Sequence, residues 1–374
     1  MPAGDASIVE KSEETGLWFE NLRCLGWDGS HSGRFENANS GDIPARVARE
    51  EKNLYLVLTA EGELLASVSG GFMNRGLVPG DYPKVGDWVA VSPRFEEGRG
   101  TIQEVLPRRN FISRKEPWMD TAEQIIAANV DKVFVVSALD EDFSPRRIER
   151  YLAIAYESGA VPVVVLNKAD LCSDPDARLA AASQAAPGCP VHLVSAMAGE
   201  GLSELRALLS AGETAVFLGS SGVGKSTLIN RFLGTERQAV KEVREYDGKG
   251  RHATTKRELI ILPGGGIVID SPGMREIQLW DDSDGLGRAF SDIEENSRRC
   301  RFSDCRHEAE PGCAVKAAIE SGELDRKRFE NFLKLKKETR RMEMKKEEKA
   351  RRVAKAAARR SRGGRKGNSP GGWR

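Results

Sequence analysis

The chain of 374 residues lacks a long hydrophobic run, and this absence excludes one class of protein. No stretch approaches the roughly 18 to 20 consecutive apolar residues that a membrane-spanning helix needs. Residues 1–11 are polar and acidic, whereas a secretory signal peptide has a basic start followed by an apolar run. The sequence therefore predicts a cytoplasmic protein.

Net charge is also nearly absent, because 57 Lys and Arg face 56 Asp and Glu. Residues 325–374, however, carry 20 basic and 6 acidic side chains, a net charge of +14, which leaves −13 on residues 1–324. A basic tail on an acidic body is typical of a protein that binds an acidic partner such as nucleic acid. The alternative is a solvated charged helix. Four glutamates could pair along such a helix: Glu338, Glu343, Glu347 and Glu348.

Cysteine is scarce, and three of the six cysteines, Cys24, Cys172 and Cys189, are scattered. The others cluster with a histidine within 14 residues, as Cys300, Cys305, His307 and Cys313. Three thiolates and one imidazole suit a closed tetrahedral zinc site with no open position for catalysis. We therefore expect one structural zinc ion. The alternative is a set of buried, reduced cysteines beside an incidental histidine.

Two patterns of apolar residues divide most of the chain. Between residues 43 and 112, five short alternating runs separated by Gly, Pro and Asp predict a small β-barrel of the OB type. Such barrels often bind RNA, although any small β domain gives this pattern. From Val130 onward, continuous apolar runs alternate with helical stretches, which predicts buried parallel strands in a doubly wound α/β sheet.

The two ends of the chain differ from this central part. Residues 1–40 have too few periodic apolar positions to form a core alone, so we expect an arm. Residues 285–324 predict a small helical unit around the cysteines, followed by a charged helix from 325 to about 360. The early apolar face of that helix is predicted to hold Phe329, Phe332 and Leu333.

A glycine-rich motif, G-x-x-x-x-G-K-[ST], lies between a strand that ends at Leu218 and a helix. In such a phosphate loop, backbone N–H groups surround phosphate oxygens and the helix N-terminus favours the anion. We expect Lys225 to reach the β and γ phosphates and Ser226 to bind Mg²⁺. The predicted phosphate-binding residues are Gly219, Ser220, Ser221, Gly222, Val223, Gly224, Lys225, Ser226 and Thr227.

A second motif, N-K-x-D, predicts which base is bound. Asn167, Lys168 and Asp170 follow a buried strand, and Ser195 with Ala196 follows the next strand. The Asp170 carboxylate can accept hydrogen bonds from N1–H and the exocyclic amine of guanine, whereas adenine presents a lone pair at N1. Asn167 is expected to hold the other edge of the purine, and the Ser195–Ala196 backbone to offer an N–H to guanine O6. The sequence predicts guanine specificity.

A third motif, D-x-x-G, follows the strand at 267–269. Asp270 is expected to hold Mg²⁺, and the Gly273 N–H to contact the γ-phosphate. The polar segment before it, a predicted switch, offers Thr254 as the threonine that completes the Mg²⁺ shell, with Thr255 as the alternative.

The residue after Gly273 is Met274, where many GTPases carry the glutamine that orients the attacking water. A methionine side chain cannot do this, so we expect slow hydrolysis by the isolated protein. His252 is the nearest candidate by sequence for positioning the water. The alternative for His252 is a structural or solvated histidine.

The order of these motifs indicates a circular permutation. N-K-x-D at 167 and Ser-Ala at 195 precede the phosphate loop at 219, the switch at 254 and D-x-x-G at 270, whereas the phosphate loop usually comes first. The permutation places both switches just before the C-terminal unit, which gives the nucleotide state a short covalent route to that unit.

Together these motifs resemble the small ribosomal subunit-dependent GTPases, a family of circularly permuted bacterial ribosome-assembly factors. The resemblance covers residues 43–330 and includes Val85-Gly86-Asp87-Trp88-Val89, the permuted GTP motifs and the Cys/His cluster. It implies an N-terminal barrel, a central permuted GTPase and a C-terminal zinc domain. It also implies GTP hydrolysis stimulated by the small subunit, and contacts with ribosomal RNA. Relatives commonly carry a threonine directly after the switch histidine, where this chain has Ala253.

The resulting prediction is a Mg²⁺-dependent GTPase of late small-subunit (30S) maturation that contacts 16S rRNA, acts as a monomer and does not bind membranes. The predicted divisions are an arm (1–40), an OB-type barrel (41–115), a GTPase domain (116–284), a zinc-binding domain (285–324) and a basic tail, helical and then disordered (325–374). The alternative is a non-catalytic RNA-binding scaffold with a structural guanine nucleotide. A metabolic kinase is disfavoured because N-K-x-D selects guanine.

Overall fold

The computed structural model describes residues 22–35, 41–52, 54–74, 78–115, 123–234, 257–270 and 284–363. The strands in these ranges are β1 (Ile43–Glu51), β2 (Leu54–Leu58), β3 (Glu63–Val68), β4 (Trp88–Arg94), β5 (Arg99–Val105), β6 (Phe111–Lys115), β7 (Glu123–Ala128), β8 (Lys132–Ala138), β9 (Val161–Asn167), β10 (Val191–Leu193), β11 (Thr214–Leu218), β12 (Glu258–Ile261) and β13 (Ile267–Asp270). The helices are α1 (Gly29–Phe35), α2 (Gly70–Met73), α3 (Pro145–Glu157), α4 (Pro175–Ala185), α5 (Leu202–Ala207), α6 (Lys225–Leu233), α7 (Asp284–Ala289), α8 (Ser291–Ser297), α9 (Ala314–Glu320) and α10 (Arg326–Gly363).

The first five strands form a closed barrel, as the alternating apolar pattern predicts. They pair in the order β1-β2-β3-β5-β4, and β4 pairs back onto β1 in antiparallel register. Only β3 and β5 run parallel within it. The barrel encloses a core of its own that includes Val47, Val57 and Ile102, each fully buried. Closure leaves no unpaired sheet edge between these strands.

The central sheet carries the nucleotide motifs. Its strands lie in the order β10-β9-β8-β11-β13-β12, and all of them are parallel except β12. Alternate residues of β8 enter two separate cores, with Val133 on one face and Phe134 on the other. Helix α3 covers the first face through Leu152, and α6 covers the second through Phe232. The predicted doubly wound sheet is confirmed.

The barrel and the central sheet are joined by backbone contacts around Gly86. Gly86 has a φ of +92°, and a Cβ there would lie 2.2 Å from the carbonyl oxygen of Ala128. Beside it, the Ala128 N–H donates to the Val85 carbonyl over 3.0 Å. The neighbouring Asp87 is buried and accepts two 2.7 Å hydrogen bonds from Arg108. Only glycine at position 86 permits the close approach to Ala128, because glycine has no Cβ.

Arg46 is a buried arginine that connects three parts of the chain. Its guanidinium donates to the carbonyl oxygens of Leu25 and Asn129 and, over 2.8 Å, to Thr214 Oγ1. Burial lowers the pKa of Arg46 to about 10. Residues 22–35, part of the predicted arm, therefore contact the barrel and the central sheet. Trp27 also packs edge-on against the barrel residue Trp88, with ring centroids 4.7 Å apart.

The C-terminal helices pack on the α3 face of the central sheet. The predicted charged helix is present as α10, and Phe329 and Phe332 are buried as expected. The prediction for Leu333 is wrong, because its side chain is 39% exposed. The buried stripe continues from Phe332 to Leu335, and Leu333 lies about 100° around the helix from Phe332.

Strands β6 and β7 pair with each other in a separate two-stranded sheet, and residue 115, the predicted boundary between the barrel and the GTPase domain, is the last residue of β6. In the described ranges, no helix combines the length and the apolar composition needed to cross a membrane.

Candidate nucleotide and metal sites

The predicted nucleotide motifs meet at one edge of the central sheet. N-K-x-D begins at the last residue of β9, Ser195 follows β10, the phosphate loop follows β11, and Asp270 ends β13. These four strands are parallel, so their carboxyl ends share an edge. Such edges are where ligands bind in open α/β sheets.

Asn167 connects the base-binding loops to the phosphate loop. Its side chain is buried, and Nδ2 donates to the Val223 carbonyl oxygen over 2.8 Å. Its Oδ1 accepts a 3.0 Å hydrogen bond from the backbone N–H of Ala196. One amide thus holds together the segments that are predicted to bind the base and the phosphates. The Ser195–Ala196 backbone is predicted to offer an N–H to guanine O6; in this structure the Ala196 N–H is bonded to Asn167 and the Ser195 N–H to the Glu200 carbonyl oxygen.

Two further contacts fix the same loops. Gly224 has a φ of +97°, and a Cβ there would lie 2.1 Å from Asn167 Nδ2, so glycine is required. Arg231, on α6, donates to the carbonyl oxygens of Ala196 and Met197, each over 2.8 Å. No motif points to Arg231. Its position in the last turn of the phosphate-loop helix is the only signal in the sequence.

The other two N-K-x-D residues differ in their surroundings. Lys168 has a φ of +65°, and its Nζ lies 2.8 Å from Asp140 Oδ2, in the loop after β8. Asp170 is exposed, and within the described part of the chain its carboxylate makes no hydrogen bond. This arrangement leaves the Asp170 carboxylate accessible to a base.

Lys225 lies across the phosphate loop. Its Nζ donates to the carbonyl oxygens of Gly219 and Ser220, over 2.8 and 2.6 Å. The next residue, Ser226, is exposed in the first turn of α6, where a metal ion and phosphates would approach. Thr227 is half-buried beside it.

The phosphate loop also contacts Arg147 of α3, which sequence motifs do not indicate. Arg147 Nη1 donates to Ser220 Oγ over 2.8 Å. The same guanidinium is paired with Asp142, and their hydrogen bond raises the pKa of Arg147 and lowers that of Asp142.

The structure describes only part of the predicted magnesium site. Asp270 is half-buried at the end of β13, which pairs with the phosphate-loop strand β11. The remaining switch residues lie outside the described residues, namely His252, Thr254, Thr255, Gly273 and Met274.

The Cys/His cluster comes together as the spacing predicts. One ligand atom from each of Cys300, Cys305, His307 and Cys313 lies within 4.8 Å of all the others. Cys313 Sγ is 3.9 Å from Cys300 Sγ and 3.4 Å from His307 Nδ1. Ligands about 2.3 Å (sulfur) and 2.0 Å (nitrogen) from a tetrahedral zinc ion would be separated by roughly 3.5 to 3.8 Å. The donor set and its spacing therefore fit a zinc ion.

Neighbouring groups orient these ligands. His307 Nε2, the ring nitrogen that faces away from the cluster, lies 3.2 Å from Ser297 Oγ. Such a partner fixes the orientation of a metal-binding histidine ring. In the connecting loop, the Arg306 N–H donates to Glu310 Oε1 over 2.9 Å and lowers the pKa of that carboxyl. The four side chains can therefore hold a metal.

Comparison with known proteins identifies relatives along most of the chain. A family model described as RsgA GTPase matches residues 105–280. A protein of Opitutus terrae named small ribosomal subunit biogenesis GTPase RsgA is 46% identical over 329 residues, 85% of this chain and 89% of that protein. The protein of that name from Streptomyces coelicolor is 46% identical over 338 residues, 88% and 90% of the two chains.

Solved structures give the same result. YjeQ from Thermotoga maritima is 30% identical, with a TM-score of 0.61 over 80% of this chain and 98% of that one. YloQ, described as a circularly permuted GTPase, is 25% identical, with a TM-score of 0.59 over 80% and 95% of the chains. The motif order and these neighbours confirm the predicted permutation. The chain therefore belongs to the RsgA family of circularly permuted GTPases.

Proposed function

We propose that this GTPase acts in the maturation of the small ribosomal subunit. It binds the 30S subunit and its 16S rRNA in the GTP form, hydrolyses GTP when the subunit stimulates it, and is then released. It works as a monomer in the cytoplasm. The observation that carries this proposal is the joining of the base and phosphate loops by Asn167, in a chain whose relatives are named for small-subunit biogenesis.

The residues proposed to bind the nucleotide are those that the motifs indicate. Asn167, Lys168 and Asp170, with Ser195 and Ala196, would hold guanine. Residues 219–227 and Gly273 would hold the phosphates. Ser226, Thr254 and Asp270 would hold Mg²⁺, and His252 would position water. The accessible Asp170 carboxylate and the Lys225 position across the loop support these roles.

The metal proposed for the Cys/His cluster is zinc, in a structural role. Three thiolates and one imidazole at tetrahedral spacing favour zinc over the harder Mg²⁺ or Ca²⁺. With four protein ligands, no position is left for substrate. The ion would hold the loop between α8 and α9, and the domain divisions given above remain part of this proposal.

The RNA contacts are proposed for the barrel and the basic tail. Eleven basic residues along α10 are exposed: Arg326, Lys327, Lys334, Lys336, Lys337, Arg340, Arg341, Lys345, Arg351, Arg352 and Lys355. Some of its acidic residues pair locally, as Glu347 does with Arg351 and Glu348 with Arg352. The excess of positive charge is nevertheless suited to a phosphate backbone.

Co-sedimentation with purified 30S subunits tests this function. We expect the protein to pellet with the subunit in the presence of a non-hydrolysable GTP analogue, and to remain largely in the supernatant with GDP. The Lys225→Ala variant, which weakens phosphate binding, serves as a control and should pellet poorly with either nucleotide. Equal pelleting with both nucleotides in the unaltered protein would support the scaffold alternative instead.

A further inference from the structure

The phosphate loop is held at both ends by side chains from other elements. Near its end, Asn167 donates to the Val223 carbonyl oxygen. Near its start, Arg147 donates to Ser220 Oγ over 2.8 Å. Asn167 belongs to the base-recognition motif, whereas Arg147 belongs to no nucleotide motif, so its contact with the loop needs a separate explanation.

Asp142 fixes the orientation of the Arg147 guanidinium that contacts Ser220. Asp142, in the loop between β8 and α3, receives hydrogen bonds from both Nη1 and Nη2, the latter over 2.8 Å. Two parallel bonds to a carboxylate set the plane of a guanidinium as well as its position. The side chain therefore presents Nη1 to Ser220 in a defined direction, although it is only partly buried.

Helix α3 gives Arg147 a rigid base. The adjacent Ile148 is buried in the core, and Glu149 is buried among polar partners that include Arg328 of α10. The space between α3 and the phosphate loop is small. A cavity of about 10 Å³, enough for one water molecule, is lined there by residues that include Tyr151 and Ser220. The burial of Ile148 and Glu149 anchors the helix on the side away from the loop.

We propose that Arg147 is a positioning residue for the nucleotide, which holds the first half of the phosphate loop in the conformation that binds phosphate. It acts through Ser220 and does not touch the reacting atoms. A loop that is already ordered loses less conformational entropy when it binds its ligand. The effect of Arg147 is therefore on nucleotide affinity, and the turnover of bound GTP does not depend on it. This proposal rests on residues 219–227 being the nucleotide site.

Steady-state hydrolysis and GDP binding test the proposal. In Arg147→Ala, we expect KM for GTP and Kd for GDP to rise about five- to tenfold, the effect of one lost hydrogen bond, while kcat at saturation stays within about twofold. Arg147→Lys keeps the charge and one donor, so it should recover part of the affinity. Ser220→Ala should raise KM at least as much as Arg147→Ala, and the double variant should lose no more affinity than Ser220→Ala alone.

Arg150→Ala is the matched control. Arg150 lies on the same helix and is similarly exposed, but it pairs with Glu338 of α10 and does not contact the loop. Its KM should be unchanged. An unchanged KM in Arg147→Ala, a loss confined to kcat, an equal rise in Arg150→Ala, or additive losses in the double variant would each overturn the proposal.

Lys225→Ala separates this proposal from the assignment of the site. If Lys225→Ala binds nucleotide normally, the phosphate-loop assignment fails, and the Arg147 proposal fails with it. If Lys225→Ala loses binding while Arg147→Ala keeps it, only the role of Arg147 fails. Thermal unfolding of each variant shows whether the fold is retained. If Arg147→Ala melts at a lower temperature, Arg147→Lys and Ser220→Ala decide the outcome by the same comparison of KM and kcat.

Discussion

At the level of single residues, the proposed recognition of guanine depends most on Asp170. Its carboxylate is exposed at the sheet edge, three residues after Asn167, whose side chain joins the loops. Guanine offers two donors to that carboxylate, and each charge-assisted bond contributes about 1.5 to 3 kcal/mol. Replacement of one carboxylate oxygen of Asp170 by an amide nitrogen should therefore change which base is bound.

In Asp170→Asn, we expect GTP affinity to fall at least about 100-fold, because an amide accepts only one of the two bonds and directs its own N–H groups at the guanine amine. Xanthosine triphosphate, which carries an oxygen in place of that amine, should bind in its stead. Competition against labelled GTP measures both changes. Asp176→Asn, an exposed change on α4, is the control and should have no effect. GTP binding by Asp170→Asn at the original affinity would contradict the assignment.

Arg328 is a second residue whose role is decided by its surroundings. Arg328 belongs to the basic tail, but its side chain is buried. It forms a bidentate pair with Asp292 and donates a 3.1 Å hydrogen bond to the fully buried Glu149. It also donates to the carbonyl oxygens of Ala185 and Ala289. Arg328 therefore attaches α10 to α3, α4, α7 and α8, although its neighbours in the sequence are mostly exposed charges.

Removal of Arg328 should destabilise the ionised form of the buried Glu149. Burial raises the pKa of Glu149, and Arg328 is the largest influence that opposes the rise. A carboxyl with a raised pKa in the folded state favours folding at low pH and loses this contribution as the pH rises through that pKa. Without Arg328 the pKa rises further. We expect Arg328→Ala to lower the free energy of unfolding by about 3 to 5 kcal/mol at pH 7, and by less at pH 5.

Urea denaturation of Arg328→Ala at the two pH values measures this difference. Arg326→Ala is a matched control, because Arg326 lies on the same helix but is exposed. It should change the free energy of unfolding by less than about 0.5 kcal/mol at either pH. A loss in Arg328→Ala that is the same at pH 5 and pH 7 would show that Glu149 does not carry the effect.

At the scale of elements, the sequence predicts best what depends on local pattern. The apolar runs of β8, β9, β11 and β13 are continuous because both faces of these strands are buried, and the phosphate loop needs glycine for its backbone shape. These elements were therefore predictable.

Contacts between distant elements were not predictable in the same way. Arg46, Arg147 and Arg328 are ordinary charged residues until the fold brings their partners to them. A faint signal exists for Arg328, which lies four residues before Phe332 on the buried stripe of α10. Leu333 lies four residues after the buried Phe329, but its side chain is exposed. This spacing alone therefore does not predict burial.

The zinc-binding unit gives a prediction for one element. Purified protein should contain one zinc ion per chain, and Cys305→Ser should lose it and unfold the loop between α8 and α9, since metal binding supplies folding free energy in small sites. Metal analysis and limited proteolysis measure the two effects. Cys24→Ser, a change at an exposed cysteine outside the cluster, should keep the metal. Full retention of zinc by Cys305→Ser would contradict the ligand assignment.

At the level of the whole molecule, the near-zero net charge is the sum of an acidic body and a basic tail. The acidic body holds the barrel and the proposed nucleotide site, and α10 packs against α3. Thr339 is the last buried residue whose burial the structure describes along this helix. Residues beyond it can therefore contact a partner without contributing to the core.

Deletion of residues 340–374 should consequently weaken binding to the 30S subunit and make that binding less sensitive to salt, because fewer counterions are released from RNA. GTP affinity should stay the same, since the docked part of α10 remains. Binding titrations at several salt concentrations measure the slope. An unaltered slope would favour the solvated charged helix.

The proposed function requires that the small subunit stimulates GTP hydrolysis at this site. The most direct test is single-turnover phosphate release from GTP, with and without purified 30S subunits. We expect slow release by the isolated protein, a rise of at least about tenfold with 30S subunits, and no rise with Lys225→Ala. A rate that 30S subunits leave unchanged, with GTP bound normally, would rule out stimulation by the subunit and favour the non-catalytic scaffold.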